Sequence, residues 1–130
     1  MAEIQIIVVT PEDTSLETTA SSVVVPLIDG EAGILPGHSP TIGRLGCGEM
    51  RIESGGNKSN YYVDGGFVQI ANDVVSVLTP RAIPISELDV AAAEKLLTEA
   101  DGIDASKPEL AEAKNKMLSQ ARAQLRLAKR

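Results

Sequence analysis

Residues 81–89 read RAIPISELD, and the spacing of apolar residues changes across this stretch. Before it, apolar segments are short, rich in β-branched residues and separated by turn residues, as in residues 4–9 and 22–26. This pattern is typical of an antiparallel sandwich or barrel. After it, apolar residues recur every three or four positions, which predicts helices. The chain of 130 residues therefore divides into an N-terminal antiparallel β-sandwich, residues 1–85, and a C-terminal two-helix antiparallel hairpin, residues 86–130.

The β-sandwich domain has candidates for about seven to ten short strands. The further candidates are residues 41–45, 48–53, 61–63, 67–71 and 74–78. Asn72 and Asp73 predict a tight hairpin turn before the last of these, and the DGG segment at residues 64–66 predicts another turn. Within residues 30–40, GEAGILPGHSP, a possible short strand ends at Leu35, and the three glycines and two prolines predict tight turns.

The helical domain carries start and stop signals for two helices. Ser86 and Asp89 have the spacing of a capping box, and Gly102 is a typical helix end. Ser106 predicts a second capping box, with Pro108 in the first helical turn. We expect helices of about 15 and 20 residues that pair as an antiparallel hairpin. Their facing positions are mostly alanine, which buries little apolar area, so we expect a hairpin that can open.

Charge is unevenly distributed along this acidic chain, whose net charge is −6. An acidic balance and only three aromatic residues disfavour nucleic-acid binding. Residues 114–130 nevertheless contain six basic residues and no acid. Four of them form one exposed stripe on the predicted second helix: Arg122, Arg126, Lys129 and Arg130. A solvated helix face is the simpler interpretation, but an acidic protein partner would suit this stripe, and its alanine-rich apolar side disfavours a lipid surface.

The residues give little support to an active site. Cys47 is the only cysteine, which excludes an internal disulfide and a cysteine-based zinc cluster. A Cys47–His38 dyad is the one nucleophile and base pair available, although His38 between prolines is typical of a loop. The glycines of residues 30–40 match no phosphate-binding motif, and Asp89 is explained as a helix cap. The first ten residues predict a strand instead of a signal peptide, no apolar run is long enough for a transmembrane helix, and we expect no cofactor or metal.

The glycine-rich stretch of residues 30–40 resembles the G-x-x-G-I-x-P-G-H-x-P loop of the epsilon-subunit family of F-type ATP synthases. The resemblance continues through residues 62–67 (YVDGGF), 74–78 (VVSVL) and 124–126 (QLR), and through the helix start at Leu88 and Asp89. It covers essentially the whole chain. The family has an N-terminal β-sandwich and a C-terminal helix–turn–helix, which agrees with the pattern of apolar residues.

The resemblance implies a non-catalytic central-stalk, or rotor, subunit that couples proton-driven rotation of the c-ring to ATP synthesis. It implies that the sandwich binds the gamma subunit and that the loop with Glu31 and His38 meets the c-ring. It further implies that the extended hairpin inhibits ATP hydrolysis, with its basic stripe on an acidic segment of the beta subunit. Such a protein would lie on the cytoplasmic face of a bacterial inner membrane, or the stromal face of a thylakoid, without inserting into the membrane.

The chain departs from one pattern of this family. Some members bind ATP at the hairpin through I/L-D-x-x-R-A, and here residues 88–93 read LDVAAA. Ala92 replaces the arginine, so Asp89 remains only as a remnant of the motif and we expect weak or absent ATP binding. Two alternatives stay open from the residues alone: a free-standing adaptor that binds acidic partners through the second helix, and a small enzyme that uses His38 and Cys47.

Overall fold

The structure is a computed structural model that describes residues 3–11 and 14–129, without the side chains of residues 14 and 15. Contacts divide the chain into two compact units, Met1–Pro84 and Ile85–Arg130, and each is described by itself. Eight strands are described in the first unit: β1 (Ile4–Val9), β2 (Thr14–Ala20), β3 (Ser22–Leu27), β4 (Gly30–Ile34), β5 (Thr41–Ser54), β6 (Asn57–Ala71), β7 (Val74–Leu78) and β8 (Ala82–Pro84).

The strands form one sheet in the order β2-β1-β7-β6-β5-β3-β4, with β8 paired to β6. This sheet becomes a sandwich because β5 and β6 are long enough to belong to both layers. Residues 41–45 of β5 pair with residues 66–70 of β6, and residues 67–71 of β6 also pair with β7. Residues 47–54 of β5 pair with residues 57–64 of β6, which lie beside β8 and β3. The predicted β-sandwich is thus confirmed.

Two long strands replace the four short ones that the sequence suggested. The predicted turn at residues 64–66 is wrong, because these residues lie inside β6. Gly65 and Gly66 have φ angles of +81° and +110°, a region that glycine adopts readily and other residues rarely do. The glycines therefore bend β6 between the two layers instead of ending it. Strands β2 and β8 were not predicted at all.

One pairing differs from the expected antiparallel arrangement. β1 and β7 are parallel, with Gln5 opposite Val74 and Val9 opposite Leu78. No hairpin joins these two strands, because β2–β6 lie between them in the chain. The parallel direction of β1 and β7 is therefore not imposed by a turn between them. It follows from their places in the sheet.

The core lies between the two layers and is aliphatic, as the shortage of aromatic residues predicted. Alternate residues of β1 and β7 point inward, including Ile4, Ile6 and Val8, which are at most 1% exposed. The other core residues are Ala20, Val23, Val25, Ile34, Leu45, Met50, Ile52, Val63, Val68, Ile70, Val75 and Val77. Burial of such side chains stabilises a fold by about 1.5–3 kcal/mol each.

The second unit contains a short 3₁₀ turn, Ile85–Glu87, followed by α1 (Val90–Asp101) and α2 (Pro108–Ala128). The predicted hairpin and the end of α1 at Gly102 are confirmed. The predicted capping box is wrong: Asp89 itself is the N-cap, and its carboxylate accepts from Ala91 N at 2.9 Å. No helix in the described part of the chain is both long and apolar enough to cross a membrane.

The start of α2 also differs from the prediction. Its N-cap is Lys107, which makes no side-chain capping bond, and Pro108 occupies the first turn. The Ser106 hydroxyl instead donates to Asp104 Oδ1 at 2.6 Å, and Ser106 N donates to the same atom at 2.9 Å. These two bonds hold the pKa of the Asp104 carboxyl below its usual range. Ser106 therefore closes the turn between the helices instead of capping α2.

Candidate functional site

The glycine-rich stretch is half strand and half loop. Its first five residues form the edge strand β4, so only residues 35–40 form a loop, which we call the Pro36 loop. His38 N donates to the Leu35 carbonyl oxygen at 3.2 Å, and Gly37 has a φ of +85°. Proline second and a positive-φ glycine third define a type II turn. The loop is therefore backbone held in a defined shape.

The structure separates the two residues assigned to a ring contact. His38 lies in the Pro36 loop, and its ring Nδ1 donates to the Ser39 carbonyl oxygen at 2.8 Å. This bond leaves Nε2 as the acceptor of the neutral ring. Glu31 lies in strand β4 and its carboxylate receives two bonds from Arg51, at 2.8 and 3.3 Å. His38 is half-buried and the Glu31 side chain is 53% exposed, so both remain accessible to a partner.

The geometry does not support a catalytic dyad of His38 and Cys47. Cys47 lies six residues beyond Thr41 along β5, which corresponds to about 20 Å of extended strand. Its thiol donates to Asp64 Oδ1 at 3.7 Å, within the sandwich. The ring of His38 is bonded to its own loop. The small-enzyme alternative therefore lacks the juxtaposition that it requires.

Arg51 connects two carboxylates on the outer face of β4 and β5. It donates to exposed Glu31 and, at 3.1 Å, to Glu49, whose side chain is only 5% exposed. Asn60 donates to the second oxygen of Glu49 at 2.7 Å. The hydrogen bond that Arg51 donates to Glu31, followed by the one that it donates to Glu49, raises the pKa of Arg51. The sequence signal for this cluster was the i, i+2 spacing of Glu49 and Arg51 on one strand, which places both on the same face.

Asp64 holds residues 79–81, which follow β7, against β6. Its carboxylate accepts from the Tyr62 hydroxyl at 2.7 Å and lies 3.5 Å from Arg81 Nε. Its backbone N–H donates to Thr79 Oγ1 at 3.2 Å and to the Arg81 carbonyl oxygen at 3.3 Å. Sequence reasoning treated Asp64 as a turn residue and missed this role. Since Asp64 is only 7% exposed, its bonds are structural.

An exposed apolar face, interrupted by the exposed residues Arg44 and Gln69, lies on the outer side of β5, β6 and β7, and sequence reasoning did not identify it. Phe67 and Leu78 are cross-strand neighbours and are 52% and 46% exposed, while Ile42 is 74% exposed. Next to Leu78, a shallow groove of about 310 Å³ is lined by Val9, Thr10, Pro11, Thr79 and Pro80. Large apolar side chains grouped on one face of a monomer are typical of a protein interface.

The basic stripe of α2 is exposed where it is described. Arg122, Arg126 and Lys129 are all exposed, and none forms a salt bridge within the described part of the helical unit. Arg130 lies outside the described residues. One carboxylate oxygen of Asp89 accepts from Ala91 N, which makes Asp89 the cap of α1.

Comparison with known proteins gives a consistent result over the whole chain. The family model of the ATP synthase Delta/Epsilon chain, beta-sandwich domain, matches residues 3–85. The ATP synthase epsilon chain of Rhodopirellula baltica is 46% identical over 126 residues, which are 97% of this chain and 98% of that one. The sodium-ion-specific ATP synthase epsilon chain of Propionigenium modestum is 35% identical over 95 residues, 73% of this chain and 69% of that one.

A solved structure is similar in both sequence and fold. One chain of the Euglena gracilis mitochondrial ATP synthase, in a cryo-EM structure of OSCP, F1 and the c-ring, superposes with a TM-score of 0.83. The two chains are 25% identical, and the match covers 95% of this chain and 79% of that one.

Proposed function

This chain belongs to the epsilon-chain family of ATP synthases, and we propose on that basis that it is a non-catalytic rotor subunit of the central stalk. In this role it couples proton-driven rotation of the c-ring to ATP synthesis and restrains ATP hydrolysis. The observation that carries the proposal is the 46% identity to an epsilon chain over 97% of the sequence, which includes both units. The assembled complex would hold it on the cytoplasmic face of a bacterial inner membrane, or the stromal face of a thylakoid.

The exposed apolar face is the proposed binding surface for the gamma subunit. Phe67, Leu78 and Ile42 supply large side chains that gain from removal of water. The groove beside Leu78 can receive a side chain of the partner. Aromatic anchors at the centre of such a face commonly dominate binding energy, and Phe67 is the one aromatic residue here.

The Pro36 loop is the proposed contact with the c-ring. Leu35 is 62% exposed at its start, and His38 offers Nε2 as a hydrogen-bond acceptor to a polar loop of the ring. Glu31, whose side chain is 53% exposed and paired with Arg51, would be a second polar group of this contact. The sandwich would thus bind the gamma subunit with one face and the ring with one end.

The helical unit is the proposed brake on hydrolysis. Arg122, Arg126 and Lys129 are exposed on α2, and Arg130 extends the same positive charge in sequence. In an extended hairpin these residues would meet an acidic segment of the beta subunit and block rotation in the hydrolysis direction. A switch of this kind needs two arrangements that differ by only a few kcal/mol.

Binding to the catalytic complex tests the proposal against the adaptor alternative. The chain is mixed with an epsilon-free complex of alpha, beta and gamma subunits, and separately with alpha and beta subunits alone. We expect binding only when gamma is present, because the sandwich is the anchor. Equal binding without gamma would favour an adaptor that uses the basic stripe.

A further inference from the structure

The turn between β6 and β7 contacts two other segments of the sandwich. Asn72 and Asp73 have φ angles of +52° and +61°, and they join the paired residues Ala71 and Val74. This is the geometry of a two-residue type I′ hairpin turn. It fixes the position of Asp73, whose carbonyl oxygen accepts from Gln5 N at 2.8 Å.

The side chain of Asp73 reaches the Pro36 loop. Its Oδ1 accepts a hydrogen bond from Gly37 N at 2.7 Å, although the two residues are 36 positions apart. A bond from a backbone N–H to a carboxylate is charge-assisted and stronger than one between neutral groups. The amide it holds belongs to the residue whose positive φ shapes the turn.

The other hydrogen bonds of the loop are local. Among the described residues, His38 N bonds to Leu35, the His38 ring to Ser39, and the Thr41 hydroxyl to Ser39. The Gly37–Asp73 bond is the one that ties residues 35–40 to a different part of the sandwich. Without it, the loop would keep its own turn and the half-buried positions of Pro36 and His38, but no hydrogen bond of the described residues would join it to the β6–β7 turn.

We propose that Asp73 is a positioning residue that pre-organises the Pro36 loop for its partner. A loop that is ordered before binding loses less conformational entropy on association, so its partner binds more tightly. This inference rests on the proposed function for the identity of the partner, the c-ring. The ordering of the loop is a property of the isolated chain.

Three substitutions in the same turn separate the hydrogen bond between Gly37 and Asp73 from the shape of the turn itself. Asp73→Gly removes the acceptor, and glycine tolerates the positive φ. Asn72→Gly makes the same change one residue earlier and leaves the acceptor in place. Asp73→Asn keeps a carbonyl oxygen that can accept from Gly37 and tolerates the same backbone conformation.

Amide hydrogen exchange of Gly37, measured by NMR on the full isolated chain, reports the order of the loop. We expect exchange about fivefold faster or more in Asp73→Gly, from the loss of one hydrogen bond. Asn72→Gly should leave the rate unchanged, and Asp73→Asn should restore most of the protection. Exchange in Asp73→Gly that equals that of the native chain or of Asn72→Gly would overturn the proposal.

Ion pumping per ATP hydrolysed, in a complete complex rebuilt with each variant, separates this inference from the proposed function. Lower coupling in Asp73→Gly alone, rescued by Asp73→Asn, supports both. Faster Gly37 exchange with unchanged coupling upholds the ordering by Asp73 and contradicts the proposed ring contact. Unchanged exchange overturns the inference whatever the complex does.

Discussion

At the scale of single residues, Gly66 is the position of the sandwich with the strictest requirement for glycine. Its φ of +110° and the nearby Leu78 carbonyl oxygen leave no room for a Cβ atom. We expect Gly66→Ala to destabilise the chain by about 2–4 kcal/mol, because both the backbone and the β6–β7 pairing must shift. Urea unfolding followed by circular dichroism measures this loss.

Gly33→Ala is the matched control for that prediction. Gly33 lies in strand β4, has no neighbour within 4 Å of an added Cβ and does not need a positive φ. Its substitution should change the free energy of unfolding by less than about 0.5 kcal/mol. Equal losses in the two variants would contradict the role of Gly66 as the bend of β6.

The residues at positions 89 and 92 predict that the helical unit binds ATP weakly or not at all. Asp89 caps α1 through its bond with Ala91 N, and the methyl side chain of Ala92 cannot donate a hydrogen bond to a phosphate. Isothermal titration of the isolated chain with Mg-ATP should therefore show no dissociation constant in the micromolar range. A micromolar constant would show that other residues replace the missing arginine.

At the scale of secondary-structure elements, the positions of apolar residues predicted more than the positions of polar ones. β1, β7 and the two helices follow directly from alternation and helical spacing. The N-terminal caps of the helices did not, because Ser86, Asp89 and Ser106 can each bond in more than one local geometry. Ser86 lies within the 3₁₀ turn that precedes α1, so Asp89, and not Ser86, is the N-cap.

The strand β6 shows why the candidate surfaces were harder to predict. The sequence at residues 64–66 satisfies the composition of a turn, but pairing with β5, in which Asp64 lies opposite Cys47 and Gly66 opposite Leu45, keeps it in a strand. Asp64 then bonds with Arg81, a contact between residues 17 positions apart that no local pattern signals. The sequence did contain a signal for the exposure of Phe67. Side chains of a strand point alternately to opposite faces, so Phe67 lies on the face opposite to Val68 and Ile70.

The basic stripe of α2 belongs to this scale as well. Replacement of Arg122, Arg126 and Lys129 by alanine should weaken inhibition of ATP hydrolysis by about tenfold or more in an epsilon-free complex to which the chain is added. The loss should shrink at high salt, because exposed charges are screened.

A second triple substitution controls for net charge. Lys95, Lys107 and Lys116 are exposed residues of the same unit and lie outside the stripe. Their replacement by alanine removes the same number of charges and should leave inhibition within about twofold. Equal effects of the two triples would show that net charge, and not the stripe, is responsible.

At the scale of the whole molecule, the sandwich is the anchor and its apolar face is the contact with gamma. Phe67→Ser should weaken binding to a gamma-containing complex by about tenfold or more, because it removes the aromatic anchor. Ile28→Ser is the control, since Ile28 is 64% exposed and lies in the turn after β3. Surface plasmon resonance compares the two, and equal weakening would place the gamma contact elsewhere.

We propose that the sandwich anchors the chain and that the helical unit inhibits ATP hydrolysis. A hydrolysis assay separates these two roles. The rate is measured for an epsilon-free complex of alpha, beta and gamma subunits, alone, with the full chain, and with residues 1–85. We predict that both forms bind and that only the full chain slows hydrolysis. If residues 1–85 bind and slow hydrolysis as strongly as the full chain, the helical unit is not the brake, and the proposed roles of the two units are contradicted.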